Sequence, residues 1–344
     1  MDPSAPAMGG HRAISIIDIA AAAGVSRSTV SRALNDQAGV NPSVRSHVKD
    51  VAARMGYMKD FRAQALKTQK THTVGMLVRA VQLSFYGEFV AAVQRSLERK
   101  GFRLAVVTQG VRQSETEALH FLMGQRPEAV VVASGRISEE LLEGPAARIP
   151  IVLAGPCSDA STFGSVGYGT DAAAELARVV AERGHREVVT LSSSTSRTLD
   201  ARSARMGAEL RAQGVRVVEV PFGSGDRPEP DALRAALSTC TAVMTPGDPV
   251  AVAAWEQMET FGLAVPHDVS LTGFDGVGQL ATPVLGLTTV RLPVREAAEQ
   301  AVTQVVARLQ DDSLGAWHSV LEGTVVLGRT LDAPRRRTTS PTRP

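Results

Sequence analysis

The sequence predicts a small all-α head joined to an α/β core of two doubly wound parallel-sheet lobes. Three observations carry this prediction. Residues 14–58 place apolar side chains at helical spacing, and Gly and Pro divide them into three short helices. From Thr73 onward, short β-branched runs alternate with amphipathic helical stretches, as in parallel sheets covered on both faces. Charge is uneven: residues 1–70 hold 10 Lys/Arg against 5 Asp/Glu, and the remainder 27 against 30. A basic head on a mildly acidic body suits a polyanion that meets the head alone.

Within the head, Ile16, Ile19, Ala20 and Ala23 share one face of a first helix, and Gly24 supplies the tight turn after it. Ser26 is a good N-cap for a second helix with Val30, Ala33 and Leu34 turned inward. Asn41 and Pro42 start a third helix carrying Val44, Val48, Val51, Ala52 and Met55, and Gly56 ends it. Residues 1–13 read as a disordered N-terminus, 14–58 as the head and 59–72 as a linker. Residues 73–330 read as the core and 331–344 as a basic disordered tail.

Eight core segments read as strands: Val74 to Val78, Leu104 to Thr108, Ala129 to Ala133, Ile151 to Ala154, Val188 to Ser192, Val217 to Val220, Ala242 to Thr245 and Val269 to Gly273. That is too many for one sheet of ordinary size. The rhythm pauses at Pro156 to Ser165, and the chain is expected to cross back near Thr282 to Val290. One lobe is therefore placed at about 73–160 plus 286–318 and the other at 161–285 plus 319–330.

Composition removes several classes of function. At 344 residues and 44% hydrophobic, the chain has ample core-forming material. Cys157 and Cys240 lie far apart, which suits a reducing compartment. No signal-peptide pattern and no apolar run of about 20 residues is present, so a soluble cytoplasmic protein without a membrane partner is expected. The 7 histidines are scattered, "LSSSTS" lacks a nucleophile elbow, and "GSVGYG" reads as a turn instead of a nucleotide loop. An enzyme is not expected, and neither a metal nor a cofactor is.

A helix, a Gly turn and a second helix with a polar outer face form a helix-turn-helix pattern. Arg27, Ser28, Ser31 and Arg32 point outward from that second helix, a composition suited to a DNA major groove or, equally, to a solvated face. The stretch "ISIIDIAAAAGVSRSTVSRALN" then resembles, without a gap, the DNA-binding signature of the lactose/galactose repressor family. Weaker echoes ("ERGHREV", "TAVMTPGD", "VPHDVSLTGFDG", "LTTVRLPV") extend the resemblance to about residue 330. It implies a transcriptional regulator, by default a repressor, that binds a pseudo-palindromic double-stranded DNA operator as a homodimer or a higher assembly. It also implies a core like periplasmic sugar-binding proteins, with a small-molecule effector between the lobes. Carried over by position, Arg27 and Ser28 become base readers, and Arg32 reads the groove. Ser15, Ser26, Thr29, Ser31 and Asn35 fall at phosphate or capping positions, and Leu66 at the leucine that wedges into the minor groove. The usual P-N-x-x-A hinge start is replaced by Lys59, Asp60, Phe61 and Arg62.

For the effector, the resemblance implies Arg79, Phe85, Tyr86, Arg202, Arg205, Asp248 and Asp275. The sugar-binding pattern itself is thinned. Arg79, Ala80 and Leu83 stand where the family has P-D-x-x-N, Gly155 and Pro156 where it has D-R, and Tyr168, Gly169 and Thr170 where it has V-D-N. This predicts an effector other than an ordinary hexose, or weakened binding. Alternatively, Arg79, Ser192 to Ser194 or Arg205 rebuild the polar ring. The competing class is a cytoplasmic α/β enzyme or a small-molecule-binding protein with a helical appendage.

Overall fold

Local capping chemistry sets the ends of the head helices. The computed structural model describes residues 14–58, 70–109, 114–193, 196–223, 226–280 and 282–335, and the chain divides into two units, 1–71 and 72–344. In the first unit, α1 (Ile16–Ala23) opens with a capping box. The Ser15 hydroxyl accepts from the Asp18 amide, and the Asp18 carboxylate accepts from the Ser15 amide at 2.8 Å. Gly24 ends α1 in the left-handed region at φ 65°, where a side chain would be strained. α2 (Arg27–Leu34) starts on the Ser26 hydroxyl, which accepts from the Thr29 amide at 3.1 Å. α3 (Pro42–Arg54) starts on Asn41, with Pro at its first position. Ile19, Ala20, Ala23, Val30, Ala33, Val48, Val51 and Ala52 form one buried cluster from all three helices. The predicted apolar stripes are therefore the observed core.

In the second unit, one sheet runs in the order β2 (Arg103–Thr108), β1 (Thr73–Val78), β3 (Ala129–Ala133), β4 (Ile151–Gly155), β5 (Gly164–Tyr168) and β11 (His318–Leu321), all parallel. Side chains alternate across it. Val74, Met76 and Val78 pack with Phe89, Val93 and Leu97 of α4 (Ser84–Arg99) and with α11 (Val294–Gln310). Leu77, Val130, Val132 and Leu153 pack on the other face with Leu119 and Leu122 of α5 (Glu115–Gly124). α6 (Glu140–Ala146) adds Leu142 to that face.

The second sheet orders β7 (Arg216–Phe222), β6 (Glu187–Ser193), β8 (Ala242–Met244) and β9 (Ser270–Thr272), again parallel. It is flanked by α7 (Asp171–Glu182), α8 (Arg197–Ala212), α9 (Pro230–Ala236) and α10 (Asp248–Thr260). In each sheet the strand order reverses beside the first strand, which opens a crevice at the strand C-terminal ends. Between the lobes, β10 (Thr289–Arg291) and β12 (Thr324–Val326) pair antiparallel.

The expected lobe boundaries shift in three places. β5 belongs to the first sheet, so that lobe runs past residue 160 to Tyr168. "GSVGY" reads as a turn because of its glycines, yet it is a buried strand. A Cβ at Gly167 would lie 2.4 Å from the Cys157 sulfur, so glycine is there for close packing. β11 also joins the first sheet, although residues 319–330 were expected in the second lobe. The core extends past residue 330: Leu331 is buried, and the Asp332 carbonyl accepts from His185 Nε2 at 2.9 Å. The expected disorder of residues 1–13 and 336–344, and most of the linker, lie outside the described residues.

Candidate functional site

In the head, burying Val30 and Ala33 turns the opposite side of α2 outward. Ser26, Arg27, Ser28 and Arg32 are exposed, and Thr29, Ser31 and Asn35 are half-buried. The Arg32 Nε donates to the Ser28 carbonyl at 3.3 Å, which holds its guanidinium along the helix. The hydroxyls of Ser26, Ser28 and Thr29 form a chain with spacings of 2.8 and 2.9 Å. Asn35 donates to the Ser31 carbonyl at 2.8 Å and closes the helix end. Ser15 has both its amide and hydroxyl occupied by Asp18, so its first task is to cap α1. Leu66 lies outside the described residues.

In the core, a cleft partly open to solvent lies at the strand ends of both sheets. The first sheet contributes Arg79 after β1, Arg136 after β3, Gly155 of β4 and Tyr168 of β5. The second contributes Ser196, Thr198 and Arg202 at α8, Asp226 after β7, Gly247 after β8 and Asp275 after β9. Phe85 and Tyr86 at the start of α4 form an edge-on pair with centroids 5.3 Å apart, and Phe85 meets Tyr168 at 5.8 Å. Burial pushes both tyrosine hydroxyls upward, so they stay protonated at neutral pH.

Arg202 is the buried anchor. It donates to Asp275 at 3.0 Å and to the Pro246 carbonyl at 2.9 Å, and its guanidinium lies 4.2 Å over the Phe274 ring. Asp226 reaches across the cleft to Arg79 at 3.5 Å, with Arg136 at 4.0 Å. Burial, reinforced by the Arg79 charge, lowers the Arg136 pKa.

Among the expected effector residues, Arg79, Phe85, Tyr86, Arg202 and Asp275 line the cleft, but two do not. Arg205 turns outward along α8, 3.6 Å from Glu209 and 4.0 Å from Asp171, because its helical position faces away from the strand ends. Asp248 opens α10 and is used inside the protein. One oxygen accepts from the Thr289 hydroxyl at 2.8 Å and the other from the Gly276 amide at 2.9 Å. Besides Arg79, the polar lining of the cleft comes from Arg136, Tyr168, Ser196, Thr198 and Asp226. The signal for Arg136 and Asp226 was their position just after strands, where α/β folds present ligand groups. Ser192 does not line the cleft, and Ser194 lies outside the described residues.

Burial, then repulsion from Asp275, raises the Asp248 pKa to about 7. Above the ordinary carboxylate pKa near 4, the folded protein holds a proton there that the unfolded chain has released. Stability from this site is therefore greatest at low pH and declines as pH rises from about 4 through about 7. Asp248→Asn is expected to flatten that part of a urea-midpoint profile against pH. An unchanged slope would show that another group causes it.

A DNA-presenting helix-turn-helix unit with a two-lobe ligand cleft defines a ligand-responsive transcriptional regulator. The model of bacterial regulatory proteins of the lacI family matches residues 15–60, and that of the periplasmic binding protein-like domain matches 177–331. The HTH-type transcriptional regulator GalS of Salmonella typhimurium is 31% identical over 301 residues, covering 84% of this chain and 88% of that protein. The ribose operon repressor of Escherichia coli is 27% identical, covering 86% and 93%. A lac repressor dimer bound to operator and the anti-inducer ONPF has the same fold, with TM-score 0.75, 20% identity, and coverage of 94% and 100%. The chain belongs to the lactose/galactose repressor family. It is a DNA-binding transcriptional regulator and not an enzyme. Among the described residues, no helix is long and apolar enough to cross a membrane.

Proposed function

We propose that this chain is a cytoplasmic repressor that binds a pseudo-palindromic operator as a homodimer, and that an effector in the core cleft modulates its affinity. The observation that carries the reading is the outer face of α2, with Arg27, Ser28 and Arg32 exposed opposite buried Val30 and Ala33. Arginine pairs bidentately with guanine in the major groove, and hydroxyls serve bases or phosphates. Arg27 and Ser28 read bases, and Arg32 reaches the groove beside them. Ser26, Thr29, Ser31 and Asn35 hold the helix end or meet phosphates, with Ser15 at the start of α1. Leu66, at the family's minor-groove leucine position, is the linker residue proposed to contact the minor groove. One head contacts few bases, so two heads on a two-fold site are needed for specificity.

The relatives support this reading. One solved neighbour is a lac repressor dimer on its operator, and another is the transcriptional regulator CelR in complex with cellobiose. The effector here is not an ordinary hexose, because Ala80, Leu83, Gly155 and Gly169 stand where the family's pattern places polar sugar contacts.

Gel-shift titration on bound genomic fragments at several salt concentrations tests the reading. Affinity is expected to fall with salt by a slope near −0.9 per phosphate contacted. Absent or salt-independent binding would refute it. Arg27→Ala is expected to relax specificity at one base position per half-site, at a cost of about 1–3 kcal/mol. Uniform weakening on all DNA would make Arg27 a phosphate contact instead.

A further inference from the structure

The charges of the cleft do not balance. Three guanidiniums, Arg79, Arg136 and Arg202, line the cleft against two carboxylates, Asp226 and Asp275, with Glu115 acting on Arg136 from outside the lining. Arg202 and Asp275 satisfy each other at 3.0 Å. Asp226 is left between Arg79 at 3.5 Å and Arg136 at 4.0 Å, both long contacts. Nε and Nη2 of Arg136 are closed to solvent and have no hydrogen-bond partner, and the same holds for the hydroxyls of Tyr168 and Thr198 in the same cleft. Buried polar groups need partners. The Nε and Nη2 edge of a guanidinium offers two parallel N–H donors, the geometry that a carboxylate or phosphate accepts in a fork.

The rest of the cleft differs in character. Leu83, Phe85, Tyr86 and Val250 supply apolar and aromatic surface. A neutral sugar could lay its C–H face on that surface but would bring no negative charge to the guanidiniums.

We propose that the cleft takes a small organic anion, with a carboxylate or phosphate seated on the Nε and Nη2 edge of Arg136, which is closed to solvent and only loosely faced by Asp226, and a flat apolar body against Phe85 and Tyr86. The Tyr168 and Thr198 hydroxyls donate to the same anionic group. This rests on the reading of the cleft as the effector site.

The test titrates the full-length protein calorimetrically with benzoate, phenyl phosphate, benzyl alcohol, D-ribose and D-galactose. At least one anion binds, and whichever binds more tightly identifies the head group. Benzyl alcohol, which keeps the ring and lacks the charge, binds at least about tenfold more weakly. Arg136→Gln weakens the anion by at least about tenfold while the unfolding temperature changes little, because its contact with Asp226 is long, at 4.0 Å, and Arg79 still faces that carboxylate. Failure of both anions to bind at millimolar concentration overturns the proposal, as does benzyl alcohol matching benzoate. A sugar that binds where the anions fail also overturns it and leaves the effector reading standing. The effector reading fails separately, if a compound that binds the cleft leaves operator affinity unchanged.

Discussion

Asp275→Ala is expected to destabilise the core by about 3–5 kcal/mol, the usual cost of leaving one member of a buried ion pair alone. Its partner Arg202 has a side chain only 5% exposed, so water does not replace the lost carboxylate. Burial raises the Asp275 pKa even against the favourable Arg202 charge, so attraction does not fully offset desolvation. Asp275→Asn keeps an oxygen for the Arg202 donor and should cost clearly less than alanine. Urea unfolding of the two variants checks this. Equal and small losses would mean that the Pro246 carbonyl and the Phe274 ring alone hold Arg202.

Ile19→Ala is expected to abolish operator binding while leaving the main thermal transition of the core in place. Ile19 is fully buried at the junction of the three head helices. Removing such a side chain costs about 2–5 kcal/mol. A domain of this size rarely has more than about 3–5 kcal/mol in hand, so the head unfolds. The core is a separate unit with its own clusters and should melt as before. Retained binding with near-wild-type affinity would show that contacts beyond the three-helix cluster stabilise the head.

The head was legible because its determinants are local. The Ser15 and Ser26 caps, the Gly24 turn and the Val30 stripe each depend on residues within a few positions. The strands β1 to β4 and β6 to β9 were legible for the same reason, as short runs rich in apolar and β-branched residues. β5 was hidden because its glycines answer to Cys157, a neighbour in space that spacing does not reveal. The cleft was half legible. Arg136 and Asp226 follow two different strands, Tyr168 ends a third, and they meet only through the sheet order. Asp248 and Arg205 occupy plausible positions but face elsewhere, and side-chain direction is set by tertiary packing.

The interleaving of the lobes dictates an order of events on the ribosome. The first sheet lacks its edge strand β11 and the covering helix α11 until about residue 321 has been made. All strands of the second sheet are complete by Thr272. The lobe begun first is therefore finished last, and during synthesis Phe89, Val93 and Leu97 wait uncovered for Ala297, Ala301 and Val305. Chains that terminate after Arg291 should carry a sticky apolar face and depend on chaperones, whereas chains that reach Leu321 have the covering helix and edge strand to bury it.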